Sequence, residues 1–249
     1  MTADDIKAVS TGIQWTGDRL RNEWTGAALS AETALQVPLG LMGFASEGRG
    51  RPTKQQESLY LSAVTFAYAV WESYAEDVAT ELAKALAPSL SPGSIPPAVK
   101  DALSDKDAWQ LAVRPGWRDL WVEAVETAAK GGQGGGYGIN TASYKNVRGL
   151  FELAGIGDAL PSHLSVAANT KLGKLKGRPA NVGVTQNKTV NVGRCLDLLV
   201  SLRGQAVHTA RTEEKLLKNE VLWWTAFIRD LHEEVDRKAR SIVAQLLDF

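Results

Sequence analysis

Residues 53–86 read TKQQESLYLSAVTFAYAVWESYAEDVATELAKAL, a run without glycine or proline. Leu59, Ala63, Phe66, Val70, Tyr74, Val78, Leu82 and Leu86 recur every three to four residues, the repeat of one inward face of an α-helix. Thr53 stands where its hydroxyl can accept from the first unpaired backbone N–H groups, so it is the expected N-cap. A Gly-rich connection precedes the run (SEGRGRPT, Ser46–Thr53), and SLSPGSIPP (Ser89–Pro97) ends it, because prolines so placed cannot continue a helix.

The same periodicity extends along the chain. Ile6, Val9, Ile13, Leu20 and Trp24 predict an amphipathic helix near the start, and shorter helical patterns cover Asp101–Val113 and Trp117–Lys130. GGQGGGYG (Gly131–Gly138) reads as a mobile loop; it has neither the lysine of a phosphate loop nor a Gly-x-Gly-x-x-Gly register. Helical patterns resume at Ser143–Ala154 and Ser162–Lys174, and KGRPANVGVTQNK (Lys176–Lys188) is a basic loop or a short hairpin. A further helix is expected from about Thr189 through Leu202. Leu217, Val221, Trp224, Ile228, Leu231, Val235, Ala239, Ile242 and Leu246 then mark a long final one. With no convincing strand and no repeat, the fold class is all-α: an N-terminal helical extension over 1–50 and a helical domain over 51–249 that contains the loop at 131–138.

Bulk properties set limits. Of 249 residues, 44% are hydrophobic and 22% charged, which suits a folded chain with a full core rather than a disordered one. The best uncharged run, Leu59–Trp71, is too short to span a bilayer, and MTADDIKAVS lacks the apolar stretch of a secretory signal. The single cysteine, Cys195, excludes an internal disulfide, so a cytoplasmic protein without membrane association is expected. Net charge is zero but unevenly spread. Ala159–Thr212 carries eight basic residues against one acid, Asp197, leaving that segment at +7 and the rest at −7. Such asymmetry points to a polyanionic partner or to chance clustering on a solvated surface.

SLRGQAVHTA (Ser201–Ala210) places Arg203 five residues ahead of His208, one of three histidines. On an unbroken helix the two side chains diverge by about 140°. However, Thr209, Thr212, Glu213 and Glu214 form a helix-start signal, which predicts a break near His208 and a turn in which both groups face one cleft. The plain alternative is a cation and an imidazole near the carbonyl end of a helix. His163, His208 and His232 show no metal-ligand spacing, Cys195 makes no thiol–imidazole pair, and no cofactor motif is present, so neither metal nor cofactor is expected.

A long helix carrying WESYAEDV (Trp71–Val78), a later helix ending in LRGQAVHTA and a long amphipathic last helix together resemble the HEPN superfamily, most closely its RiboL-PSP-HEPN branch, over about Thr53–Phe249. The resemblance implies a HEPN-type helical bundle with additional N-terminal helices. It also implies a metal-independent endoribonuclease of a bacterial defence or toxin–antitoxin system, working as a homodimer with its site at the dimer cleft. Arg203 and His208 take the catalytic positions, and Glu72, with Asp77 beside it, corresponds to acidic positions on the first core helix. Gly204 stands where the family usually has a polar residue, often asparagine. Cleavage by 2′-hydroxyl attack would leave a 2′,3′-cyclic phosphate and a 5′-hydroxyl, with His208 as base and Arg203 on the phosphate. Lys171, Lys174, Lys176, Arg178 and Arg211 would hold the RNA backbone. An antitoxin or regulatory partner fits the same picture. The alternative is a catalytically inactive module that binds RNA or a partner protein as scaffold or sensor.

Overall fold

The computed structural model describes residues 23–45, 52–90, 116–131, 138–139, 141–209 and 216–247. In chain order the helices are α1 (Gly26–Ala34), α2 (Gln36–Gly43), α3 (Lys54–Leu86), α4 (Trp117–Lys130), α5 (Tyr144–Leu153), α6 (Val192–Thr209) and α7 (Lys218–Leu246). A two-stranded antiparallel pair, β1 (His163–Ser165) with β2 (Thr189–Asn191), leads into α6. The described residues are mostly helical, as the periodicity predicts. The helices expected from Ile6 and over Asp101–Val113 fall outside the described residues, apart from Trp24.

Thr53 caps α3 as expected: its hydroxyl accepts from the Gln56 N–H, and the Gln56 side chain accepts from the Thr53 N–H at 2.8 Å. The helix is central, with α1, α2, α4, α6 and α7 all packed on it. Its buried surface is therefore wider than one stripe. Tyr60, Val64, Ala67, Tyr68, Trp71 and Ala75 are buried beside the predicted face, whereas Phe66 on that face is 49% exposed. Against α3 lies α7, which buries Val221, Trp224, Phe227, Ile228, Leu231 and Val235. Each such side chain contributes about 1.5–3 kcal/mol by leaving water. Trp121 of α4 and Trp71 of α3 donate their indole N–H groups to the carbonyls of Leu153 (2.8 Å) and Ala142 (3.1 Å), which lets both rings be buried.

Residues 23–45, the described part of the expected extension, join the same core. Thr25 donates both its N–H and its hydroxyl to Asp236 of α7, and Arg240 closes on the other carboxylate oxygen at 2.7 Å. Glu81 of α3 accepts the Gly26 and Ala27 N–H groups, each at 3.0 Å, which satisfies two of the open donors at the start of α1. Arg229 pairs with Glu32 at 3.2 Å.

Two expectations are corrected. Ser162–Lys174 is not a helix: Leu164 pairs with Val190 across the β-pair, both point inward, and only Leu172–Lys174 form a single 3-10 turn. The alternation of Leu164 and Val166 is a strand period that the helical reading passed over. His208 itself is not in a turn: it lies on α6 with Arg203, and the described helix ends at Thr209, one residue beyond it. The described start of α7 is at Lys218, where the Glu220 carboxylate accepts the Leu217 N–H at 2.9 Å.

Candidate functional site

An unbroken α6 decides the geometry of the Arg–His pair. At 100° per residue the two side chains leave the helix about 140° apart, so the predicted convergence of Arg203 and His208 within one chain does not occur. Arg203 is half-buried and turns toward α3, its guanidinium carbon 5.9 Å from the centre of the Tyr68 ring. His208 is exposed. Next to it, Val207 is 56% exposed and shares a groove of about 410 Å³ with Ala206 and, from α3, Phe66 and Ala69.

Arg203 opens onto a second, polar cleft of about 610 Å³. Glu72, Ser73, Glu76 and Asp77 of α3 form one wall, Ala129 and Lys130 at the end of α4 a second, and Gly138–Ile139 the rim. Each wall follows from local structure. Glu72 and Glu76 are one turn apart on α3, so they share a face. Lys130 ends α4 and reaches across to Asp77 at 2.7 Å. Gly138 lies so close to the Ala129 carbonyl that any Cβ there would overlap it, which gives this glycine of GGQGGGYG a steric role.

Hydrogen bonds order the inner end of the cleft. The Ala142 N–H donates to the Tyr68 hydroxyl at 2.7 Å, and that hydroxyl donates to Glu72 at 3.4 Å. Burial, reinforced by the Glu72 charge, pushes the Tyr68 phenol up to about 12, so it stays a donor at neutral pH. Burial also raises the Glu72 carboxyl, and the opposing pull of Arg203 and the Tyr68 hydroxyl only partly offsets this. Glu76 stands differently. Burial, then the neighbouring charges of Glu72 and Asp77, bring it to about 7, with Lys130 opposing. Among the described residues Glu76 has no hydrogen-bond or ion-pair partner, and Arg203 makes no ion pair.

The structure thus brings together Arg203, Glu72 and Asp77 and leaves His208 outside the cleft. Of the residues expected to hold RNA, Lys171 is engaged by Glu233 of α7 at 2.9 Å. Lys174, Lys176 and Arg178 are exposed, and Arg211 lies outside the described residues. Cys195 is buried, and that burial pushes its thiol up to about 12, which leaves it an unreactive core group. Among the described residues no three His, Cys, Asp or Glu side chains gather in a way that would hold a metal ion, and no helix is long and apolar enough to cross a membrane.

Tyr68 and Glu76 were missed in the sequence. With Glu72 they form a Tyr-x3-Glu-x3-Glu row, one helix face of polar groups continuing from the core, and that row was the available signal. No family model, no curated protein and no solved structure matches the chain.

Proposed function

We propose that the protein is a metal-independent endoribonuclease that acts as a homodimer, of the kind found in bacterial defence and toxin–antitoxin systems. One observation carries the reading: a guanidinium that makes no ion pair among the described residues faces an open polar cleft. Arginines in folded proteins generally find an ion-pair partner or a ligand, and the flat fork of N–H donors on Arg203 suits two oxygens of one phosphate.

Because His208 leaves α6 on another side, the reading requires a second copy. The half-exposed Phe66 and Val207, in the separate groove between α3 and α6, support one, since exposed apolar groups favour packing against another protein surface. The imidazole of His208 of the partner subunit then takes the proton of the RNA 2′-hydroxyl. The 2′-oxygen bonds to phosphorus while the bond to the 5′-oxygen breaks, and the imidazolium so formed returns its proton, through solvent, to that leaving oxygen. Arg203 holds the charge that builds on the phosphate. Lys174, Lys176 and Arg178 add exposed positive charge for the rest of the strand, and an antitoxin that masks this surface would fit the same chemistry.

The test is cleavage of total RNA in EDTA, with the ends identified. The expected result is 2′,3′-cyclic phosphate ends from the wild type and loss of about 100-fold or more in both His208→Ala and Arg203→Ala. Mixing the two variants restores part of the activity, because one composite site per mixed dimer is intact. Undiminished cleavage by His208→Ala ends the assignment. A second reading, an RNA- or partner-binding module without catalysis, is favoured by the divergence of His208 from the cleft. It predicts a gel shift with intact RNA.

A further inference from the structure

Five charged side chains line the Arg203 cleft, and they are not equivalent. Lys130 and Asp77 neutralise each other at 2.7 Å. Glu72 is held by the Tyr68 hydroxyl and lies in the field of Arg203, both of which favour its ionised form. Arg203 and Glu76 remain, one cation and one carboxyl, without a hydrogen-bonded or ion-pair partner among the described residues. From α3, Glu72 and Asp77 face Glu76; from α4, Lys130 does; from α6, Arg203 lines the same cleft. No N–H or O–H group of the described residues donates to the Glu76 carboxyl.

With every acid ionised, the lining carries three negative and two positive charges, a net −1 facing a ligand that is itself an anion. Adding a phosphate next to an unpaired carboxylate is repulsive in a half-buried setting, where water screens poorly. Protonating one carboxyl brings the lining to zero and turns an acceptor into an O–H donor directed at a phosphate oxygen. We propose that RNA phosphate enters the Arg203 cleft together with a proton, and that Glu76 is the group that carries it. This deepens the ribonuclease reading and rests on it for the identity of the ligand. It adds that the site fills more readily as pH falls.

The choice of Glu76 over Glu72 is geometric: Glu72 has a hydroxyl donor and Glu76 has none, while acids flank Glu76 on both sides. The position of Glu76 near 7 places the linkage within the neutral range. A bound phosphate raises it further, so binding takes up a proton, and affinity falls as pH rises above about 7. The one-proton limit is about tenfold in affinity per pH unit.

The experiment uses a 2′-O-methyl oligouridylate, which has the backbone charge of RNA but no free 2′-hydroxyl and cannot be cleaved. Its affinity for the full chain is measured across neutral pH. Proton uptake is measured by calorimetry in two buffers of different ionisation enthalpy. The expected result for the wild type is weakening that approaches tenfold per unit above about 7, with uptake approaching one proton. Glu76→Gln is expected to bind without pH dependence, to take up no proton, and to bind above neutral pH at least as tightly as the wild type. Circular dichroism verifies that the variant is folded. Wild-type affinity that does not change with pH overturns the proposal, and so does a slope that survives in Glu76→Gln. A slope that disappears in Glu72→Gln or His208→Ala instead also overturns it. Absence of binding defeats this proposal and the RNA reading together. Linked binding without cleavage of unmodified RNA leaves Glu76 in its role and defeats only the ribonuclease reading; cleavage without linkage does the reverse.

Discussion

Glu76 and Glu81 sit five residues apart on α3, and the two ends of that interval have opposite fates. Glu81 faces the start of α1 and is satisfied by two backbone N–H groups, next to a buried set in which Thr25, Asp236 and Arg240 complete one another. Glu76 faces the cleft and, among the described residues, accepts no hydrogen bond and makes no ion pair. Burial raises both carboxyls above the ordinary range, yet hydrogen bonds offset the cost at one and charged neighbours add to it at the other. A polar group whose needs are met inside the chain builds structure, and one left unmet is available to a ligand.

Substitutions sharpen or break this contrast. The largest effect is expected at the satisfied end. Asp236→Ala strands the Thr25 donors and removes the buried carboxylate that Arg240 meets at 2.7 Å. Urea denaturation should show a loss of about 3–5 kcal/mol. Glu81→Ala removes both acceptors at the start of α1 and should cost about 2 kcal/mol. If either change is silent, the polar set is ornamental and the contrast fails.

At the open end the signs reverse. Gly204 lies inside α6 with open space where a Cβ would stand, so Gly204→Ala should stabilise by about 0.5–1 kcal/mol. The smallest effect is expected at Glu76. Its folded-state value is raised from 4.5 to about 7, so the fold binds more protons than the unfolded chain within that window. Stability is therefore present below 4.5 and is lost as pH rises through about 7. Glu76→Gln should match the wild type in acid and exceed it slightly above neutrality, as thermal melts at the two pH values would show. A Glu76→Gln protein less stable at alkaline pH would mean that the carboxylate has a partner within the fold.

How far the sequence carried the reading follows from what it encodes locally. The Trp117–Lys130 helix and the interior of α7 were legible, because their faces repeat at helical spacing and stay in register with one buried side. Phe66 was misplaced because α3 is packed from several directions, and its buried surface wanders around the axis. The helical state of His208 was hidden because a start signal of threonines and acids places a helix boundary only to within a residue or two. Glu72 was named from the resemblance, and its approach to Arg203 is visible only in three dimensions. The distinction of Glu76 depends on what fails to reach it, which no spacing along the chain can express.

The hydrogen bonds from Thr25 to Asp236 join positions 211 residues apart. During synthesis α1 meets α3 early, but its second anchor leaves the ribosome only after most of the described chain. Closure of this polar set is accordingly a late event, dominated by the entropy of joining distant segments. Until then α1 rests on α3 without its contacts to α7, so the nascent intermediate exposes apolar surface that the finished fold covers.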